Sequence, residues 1–342
     1  MPGSDPPAAV IFGVKGLVLE EDEKRFFSES RPLGFILFAR NVDAPGQVRD
    51  LCRHLRECLG RPAPILIDQE GGRVQRLKPP HWRARPAAAI FGRLAARDKA
   101  LAEKAVRLNY RLIAADLSAL GIDVDCAPLL DVPVPGAHDV IGDRAFAENP
   151  ETVAFLARAA LEGLADGAVK GVVKHIPGHG RAMSDSHHEL PVVEADLQTL
   201  REQDFAPFRA LSDAPWAMTA HVVYKAIDPD WPATLSEKTI SRVIRGEIGC
   251  RSLLLSDDLS MKALSGDFED RARRTLAAGC DLALHCNGDM NEMRAVMKGV
   301  GPMTDQACER FELSLKVKRD ILAPDKAEQT LEAWLKEAEQ SA

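Results

Sequence analysis

The sequence predicts an α/β fold, a single (β/α)8 barrel of the TIM type with additional C-terminal helices. Three observations carry this expectation. Eight short apolar, β-branched runs alternate with longer stretches of helical period. Almost all of the short runs are apolar on both faces, the signature of parallel strands buried on each side. The first run is followed by Gly13-Val14-Lys15-Gly16, not by the G-x-G-x-x-G turn expected of an open, doubly wound sheet. A closed barrel accounts for the count of eight.

In chain order, the expected strands are Ala9–Val14, Gly34–Phe38, Pro64–Ile67, Asp123–Ala127, Gly171–Lys174, Ala217–Ala220, Ser252–Leu255 and Leu282–Leu284. The expected helices are Glu20–Glu29, Pro45–Leu59, Lys99–Leu120, Pro150–Asp166, Asp196–Leu211, Ser236–Gly246, Asp270–Ala278 and Met290–Lys298. In Lys99–Leu120 the apolar positions Ala105, Leu108, Leu112, Ala115 and Leu120 recur at helical spacing. Two connections, Gly72–Asp98 and His175–Pro191, exceed ordinary loop length, which in compact domains points to function. Beyond residue 302, Asp305–Leu322 and Lys326–Glu339 read as helices split by Pro324 and packed on the barrel exterior. The expected division is therefore a catalytic barrel over 1–302 and C-terminal helices over 303–342.

The chain has 342 residues, 46% hydrophobic and 28% charged, enough for a large core. A net charge of −7 gives no basic face for nucleic acid. The N-terminus places Asp5 and three prolines ahead of the apolar run Val10–Leu19, which Lys15 interrupts, so it reads as no secretory signal. No window approaches the roughly 18 apolar residues of a membrane span. Seven cysteines without a C-x-x-C read as reduced thiols. Cytoplasmic location follows as an expectation. No H-x-H, H-E-x-x-H or Cys-His cluster is present, so neither metal nor other cofactor is expected.

In a barrel the site forms at the C-terminal ends of the strands. There the sequence collects Asp68 and Glu70, Asp125 and Asp131, Lys174 and His175, His221, and Asp257 with Asp258. Such a rim suits a sugar, which needs acceptors for hydroxyl pairs and a few donors. Asp257 ends Leu253-Leu254-Leu255 and is held as rigidly as a nucleophile requires. Strand alternation lets only one of Asp257 and Asp258 face the pocket; alternatively both cap the next helix. Lys174 and His175 can hold sugar hydroxyls, and His179 reads as bonding within its loop. In Asp185-Ser186-His187-His188, Asp185 can accept the ring N–H of His187 and raise its basicity; a solvated polar loop is the plainer alternative. His188 reads as structural.

Asp68-Gln69-Glu70-Gly71-Gly72-Arg73-Val74-Gln75-Arg76, Lys174-His175-x-Pro177-Gly178-His179-Gly180, Asp185-x-His187 and Ser256-Asp257-Asp258-Leu259-Ser260-Met261 together resemble glycoside hydrolase family 3, specifically its single-domain bacterial β-N-acetylglucosaminidases. The matching segments run from about Gly34 to Asn287. The resemblance implies Asp257 as nucleophile, His187 as acid/base, Asp185 as its orienting partner, and Asp68, Arg76, Arg144, Lys174 and His175 as ligand contacts. It implies release of terminal N-acetylglucosamine from 1,6-anhydro-N-acetylmuramic acid, with or without peptide, in the cytoplasm; retaining hydrolysis and a monomeric state are expected beside it. Ile176 stands where the family commonly has Phe, which alters loop packing without removing a catalytic group. A single barrel lacks the second domain that supplies the acid in many relatives, which fits an acid on the His175–Pro191 loop. Two other readings are a substrate-assisted hexosaminidase, with Asp257-Asp258 polarising the acetamido group, and a sugar-binding barrel without catalysis.

Overall fold

Eight short strands, apolar on both faces, bury themselves by closing into a ring. The computed structural model describes residues 5–186, 188–315 and 324–340; His187 and residues 316–322 of the expected helix Asp305–Leu322 lie outside the described residues. The barrel strands are β1 (Ala8–Gly13), β2 (Pro32–Leu37), β3 (Ile65–Ile67), β4 (Val124–Asp125), β5 (Lys170–Ile176), β6 (Trp216–Thr219), β7 (Leu253–Asp258) and β8 (Leu282–His285). All pair in parallel and in sequence order, and β8 closes on β1. This is the (β/α)8 barrel the sequence predicts.

The helices are α1 (Glu21–Ser30), α2 (Pro45–Leu59), α3 (Ala88–Ala95), α4 (Lys99–Leu120), α5 (Pro150–Asp166), α6 (Leu197–Thr199), α7 (Phe205–Ala210), α8 (Phe268–Ala278), α9 (Met290–Gly299), α10 (Asp305–Ser314) and α11 (Pro324–Gln340). Between α6 and α7 the chain runs through a π-helical turn, Leu200–Asp204, and Thr239–Glu247 is also π-helical. Side chains alternate along the strands as the pleat requires. Ile11, Leu66, Val172, Trp216, Leu253, Leu255, Leu282 and Leu284 fill the barrel interior. Val10, Phe12, Ile65, Ile67, Val173, Ala217, Leu254 and Ala283 face the helices. Met303, Ala307 and Phe311, at and within α10, join the interior cluster from below, where Trp216 Nε1 donates to Ser314 Oγ at 3.1 Å.

The long stretch Gly72–Asp98 is more ordered than its Pro- and Arg-rich composition predicts. Gln69–Gly71 and Val74–Gln75 form an antiparallel hairpin, and α3 follows. Ala88, Phe91 and Leu94 are the buried face of α3. Gly92 sits in that helix because a Cβ there would come within 1.6 Å of the Phe146 carbonyl oxygen. Close approach, not a helix break, explains this glycine. Val192–Val193 and Val223–Tyr224 add a small parallel pair at the rim.

Candidate active site

Two strands depart from regular pairing where the functional side chains emerge. In β7 an extra residue sits between Leu255, opposite Leu282, and Asp258, opposite Leu284. In β5 the register slips between Lys174, opposite Met218, and Ile176, opposite Thr219. Such bulges re-aim side chains next to active sites. Their result is that adjacent residues reach one cleft: Lys174 with His175, and Asp257 with Asp258. This corrects the expectation that alternation admits only one of the two acids. The Asp258 carboxylate accepts from the amides of Ser260 (3.0 Å) and Cys286 (3.1 Å) and from Ser260 Oγ (2.5 Å). Asp257 Oδ1 accepts from the amide of Asp258 at 2.8 Å.

The same cleft holds a chain of buried and half-buried ions. Arg76 Nη2 donates to Asp68 Oδ2 at 2.9 Å, and Lys174 Nζ bridges Asp68 Oδ1 (3.1 Å) and Glu70 Oε1 (2.7 Å). Arg144 grips Glu70 with Nε and Nη2, each at 2.9 Å, a bidentate fork that fixes both partners. Burial disfavours the charges of Asp68, Glu70, Lys174 and Arg144, but the partners win. Asp68 and Glu70 are held below the usual carboxylate range by Lys174 with Arg76 or Arg144, and Lys174 and Arg144 are raised above theirs. Asp68, Glu70, Lys174 and Arg144 stay ionised. Asp68 and Asp257 arrive from strand ends, Lys174 from β5, Arg76 and Glu70 from the hairpin, and Arg144 from a 3-10 turn, Gly142–Arg144. Gln69 knits the hairpin to its strand by accepting from the amides of Arg76 (2.9 Å) and Leu77 (3.0 Å).

The loop after β5 is anchored on Asp131. One oxygen of Asp131 accepts from the amides of His175 (3.1 Å) and His179 (2.7 Å), and the other takes His175 Nδ1 at 2.7 Å. Burial opposes that charge, yet the two histidines hold the acid down to about 2, so it is ionised and His175 Nδ1 donates. His179 is buried beneath the loop, its Nε2 3.1 Å from Ser186 Oγ, and its pKa falls to about 4 through burial and the nearby His175. A Cβ on Gly180 would lie 2.0 Å from the Val132 carbonyl oxygen, and Tyr224 donates its hydroxyl to the Gly178 carbonyl at 2.7 Å. Asp185 and Ser186 reach the cleft, whereas His188 is 75% exposed, with Nε2 4.0 Å from Asp185 Oδ2.

Asp68, Arg76, Arg144, Lys174, His175, Asp185 and Asp257 thus line one cleft of about 500 Å³, and His187 is outside the described residues. Three rim residues serve elsewhere. Asp125 is buried between the interior-facing Val124 and Cys126, accepts the Gln69 amide at 2.9 Å, and has its pKa pushed up by burial. Asp131 works through His175 and His179. His221 is buried, with Nε2 donating to the Asp258 carbonyl at 3.0 Å. Glu70, which the sequence places on the rim, is the residue to which sequence reasoning gave no role. Its spacing of two from Asp68 was the available signal, since residues i and i+2 of extended chain share a face. Among the described residues, no group of three or more His, Cys, Asp or Glu could hold a metal ion, and no helix is long and apolar enough to cross a membrane.

Comparison with known proteins agrees with this geometry. The profile of the glycosyl hydrolase family 3 N-terminal domain matches residues 16–311. A beta-hexosaminidase of Bordetella avium is 40% identical over 286 residues, 82% of this chain and 81% of that protein. Native NagZ of Neisseria gonorrhoeae superimposes with a TM-score of 0.86 at 34% identity, over 98% of each chain. NagZ of the same organism in complex with N-trifluoroacetyl-D-glucosamine gives 0.85 at 33% identity, again over 98% of each. The chain belongs to glycosyl hydrolase family 3, as a glycoside hydrolase of the β-N-acetylhexosaminidase type.

Proposed function

We propose that this enzyme removes terminal N-acetylglucosamine from peptidoglycan fragments, N-acetylglucosaminyl-1,6-anhydro-N-acetylmuramic acid with or without peptide, with retention at the anomeric carbon. Asp257 attacks that carbon and forms a glycosyl-enzyme ester while His187, oriented by Asp185, protonates the departing oxygen. His187 then takes a proton from water, which attacks the anomeric carbon, expels the Asp257 carboxylate and frees the sugar in its β form. A neutral imidazole spares an incoming anionic acceptor or leaving group the repulsion that a carboxylate base would exert. Asp68, Arg76, Arg144, Lys174 and His175 take the sugar hydroxyls. The reaction calls for no cofactor, and the barrel over residues 1–302 performs it as a cytoplasmic monomer.

The observation that carries this reading is the shared cleft: Asp257 on a rigid strand end and Asp185, two residues from His187, on a loop line the same cavity as the ion chain. The relative complexed with an N-acylglucosamine analogue supports the choice of sugar. The substrate-assisted alternative is less favoured, because the Asp258 carboxylate is already committed to Ser260 and the Cys286 amide. Hydrolysis of an aryl N-acetylglucosaminide beside the matching glucoside, followed by proton NMR, tests the proposal. The β anomer of N-acetylglucosamine should form first, and a 2-fluoro glycosyl probe should label Asp257. First release of the α anomer, or labelling at another residue, refutes it.

A further inference from the structure

The hairpin that carries Glu70, Arg73 and Arg76 into the cleft is supported from behind by a segment at the far end of the chain. Residues 83–85 lie along its back: the Gly72 amide donates to the Arg85 carbonyl at 2.8 Å, the Arg85 amide to Gln75 Oε1 at 2.9 Å, and Gln75 Nε2 to the Arg83 carbonyl at 2.8 Å. The Arg85 side chain turns the other way and is buried. Its Nη2 meets Asp116 of α4 at 2.9 Å, and its Nη1 meets Glu328 of α11 at 2.8 Å, with Glu328 only 12% exposed. Arg83 Nη1 donates to Glu332, one turn further along α11, at 2.7 Å. Helix α11 is itself fastened by Ala327 and Leu331, which are buried in the main core, with Trp334 and Leu335 packed against it. It lies beyond residues 16–311, the span of the family match.

We propose that α11 is a positioning element for the substrate-facing hairpin, with Glu328 the positioning residue that acts through Arg85. A two-strand hairpin of this size has little stability of its own. Its cleft residues hold their place only if the turn behind them is fixed, and supporting contacts of this kind set how accurately a site is built. The chain of contacts is continuous: core, α11, Glu328, Arg85, the Gly72 and Gln75 backbone and side-chain bonds, then Glu70 and Arg76. Glu328 is not among the described residues that line the cleft, so its loss should loosen the sugar site while leaving Asp257 and the loop after β5 alone. The inference rests on the reading that this cleft takes the sugar.

The test uses the full chain with Glu328→Ala, Glu328→Gln and Arg83→Ala, and an exposed-pair control, Glu57→Gln on α2. Steady-state kinetics on 4-nitrophenyl N-acetyl-β-D-glucosaminide are measured beside amide hydrogen exchange. A misplacement of about 1 Å can cost roughly 100-fold, so a partial loosening should raise KM about tenfold in Glu328→Ala. The kcat should stay within about twofold of wild type, because the reacting groups are untouched. Exchange should rise over residues 69–77 and stay unchanged in the barrel strands. Glu328→Gln, which keeps a hydrogen bond to Arg85 and loses the charge, should fall between Glu328→Ala and wild type, Arg83→Ala should act more weakly, and Glu57→Gln should match wild type. Glu328→Gln leaves Arg85 paired with Asp116, so the measurement stands if Glu328→Ala does not fold. Unchanged KM and exchange overturn the proposal, as does exchange that rises evenly across the barrel. Failure of the wild-type enzyme to hydrolyse the glycoside would instead sink the functional reading, and the exchange result would still decide the role of α11.

Discussion

At neutral pH the imidazole of His179 carries no charge, because burial, with His175 beside it, lowers its pKa from 6.5 to about 4. As pH falls through this window the unfolded chain takes up the proton and the folded chain refuses it. Stability therefore falls with pH, by on the order of 3 kcal/mol between 6.5 and 4. Urea titrations across that range should show this loss in wild type and its absence in His179→Gln; parallel curves would exclude His179 as the source. The neighbouring Asp131, held to about 2, stays ionised throughout. The acid/base role proposed for His187 has its own signature. His187→Ala should slow cleavage of the disaccharide substrate roughly 1,000-fold, within the range for a lost general acid, and that of a dinitrophenyl glycoside in its first step far less. Equal losses on both would remove His187 from the role. At this scale the cleft was largely legible: Asp68, Lys174 and Asp257 each follow an apolar strand and share the phase of the interior residues Leu66, Val172 and Leu255. Glu70 was not, because a motif shows its type and not the two cations that surround it.

Among the elements, α2, α4 and α5 run over the ranges their periodicity predicts, helped by Gly60 and Gly121 in left-handed C-caps after the first two and by Pro150 opening the third. The hairpin and α3 escaped notice because their partners are distant: Gly92 reads as a breaker until Phe146 is seen against it. The bulges in β5 and β7 are equally invisible, since register is a property of two strands and each sequence shows one. The loop after β5 offers a test at this scale. Gly180→Ala would force its backbone away from the Val132 carbonyl, displacing the segment that bears Asp185. The kcat should drop roughly 100-fold, in line with a displacement of about 1 Å. A near-ultraviolet circular dichroism spectrum should remain that of wild type. Full activity would show that the loop absorbs the shift without moving Asp185.

For the whole molecule, work is divided between the two ends of the barrel, as in other barrels of this architecture. The lower end is closed by α10, where Phe311 packs edge-on to Trp216 with ring centroids 6.2 Å apart. Phe311→Ala should cost about 3–5 kcal/mol of stability, seen in chemical denaturation, while kcat at 25 °C remains within about twofold of wild type. A fall in kcat without a fall in stability would mean that the two ends are coupled. Eight apolar runs announced a parallel sheet covered on both faces, and the missing G-x-G-x-x-G turn after the first favoured closure over an open sheet. The extra residue in β7 has a consequence for how such a barrel changes over generations. Excising Ser256 alone would restore strict alternation, hand the inward place to Asp258 and swing Asp257 toward the surrounding helices. The shortened protein would keep its hydrophobic filling and nearly all its composition, and a single lost codon would leave a barrel without its proposed nucleophile.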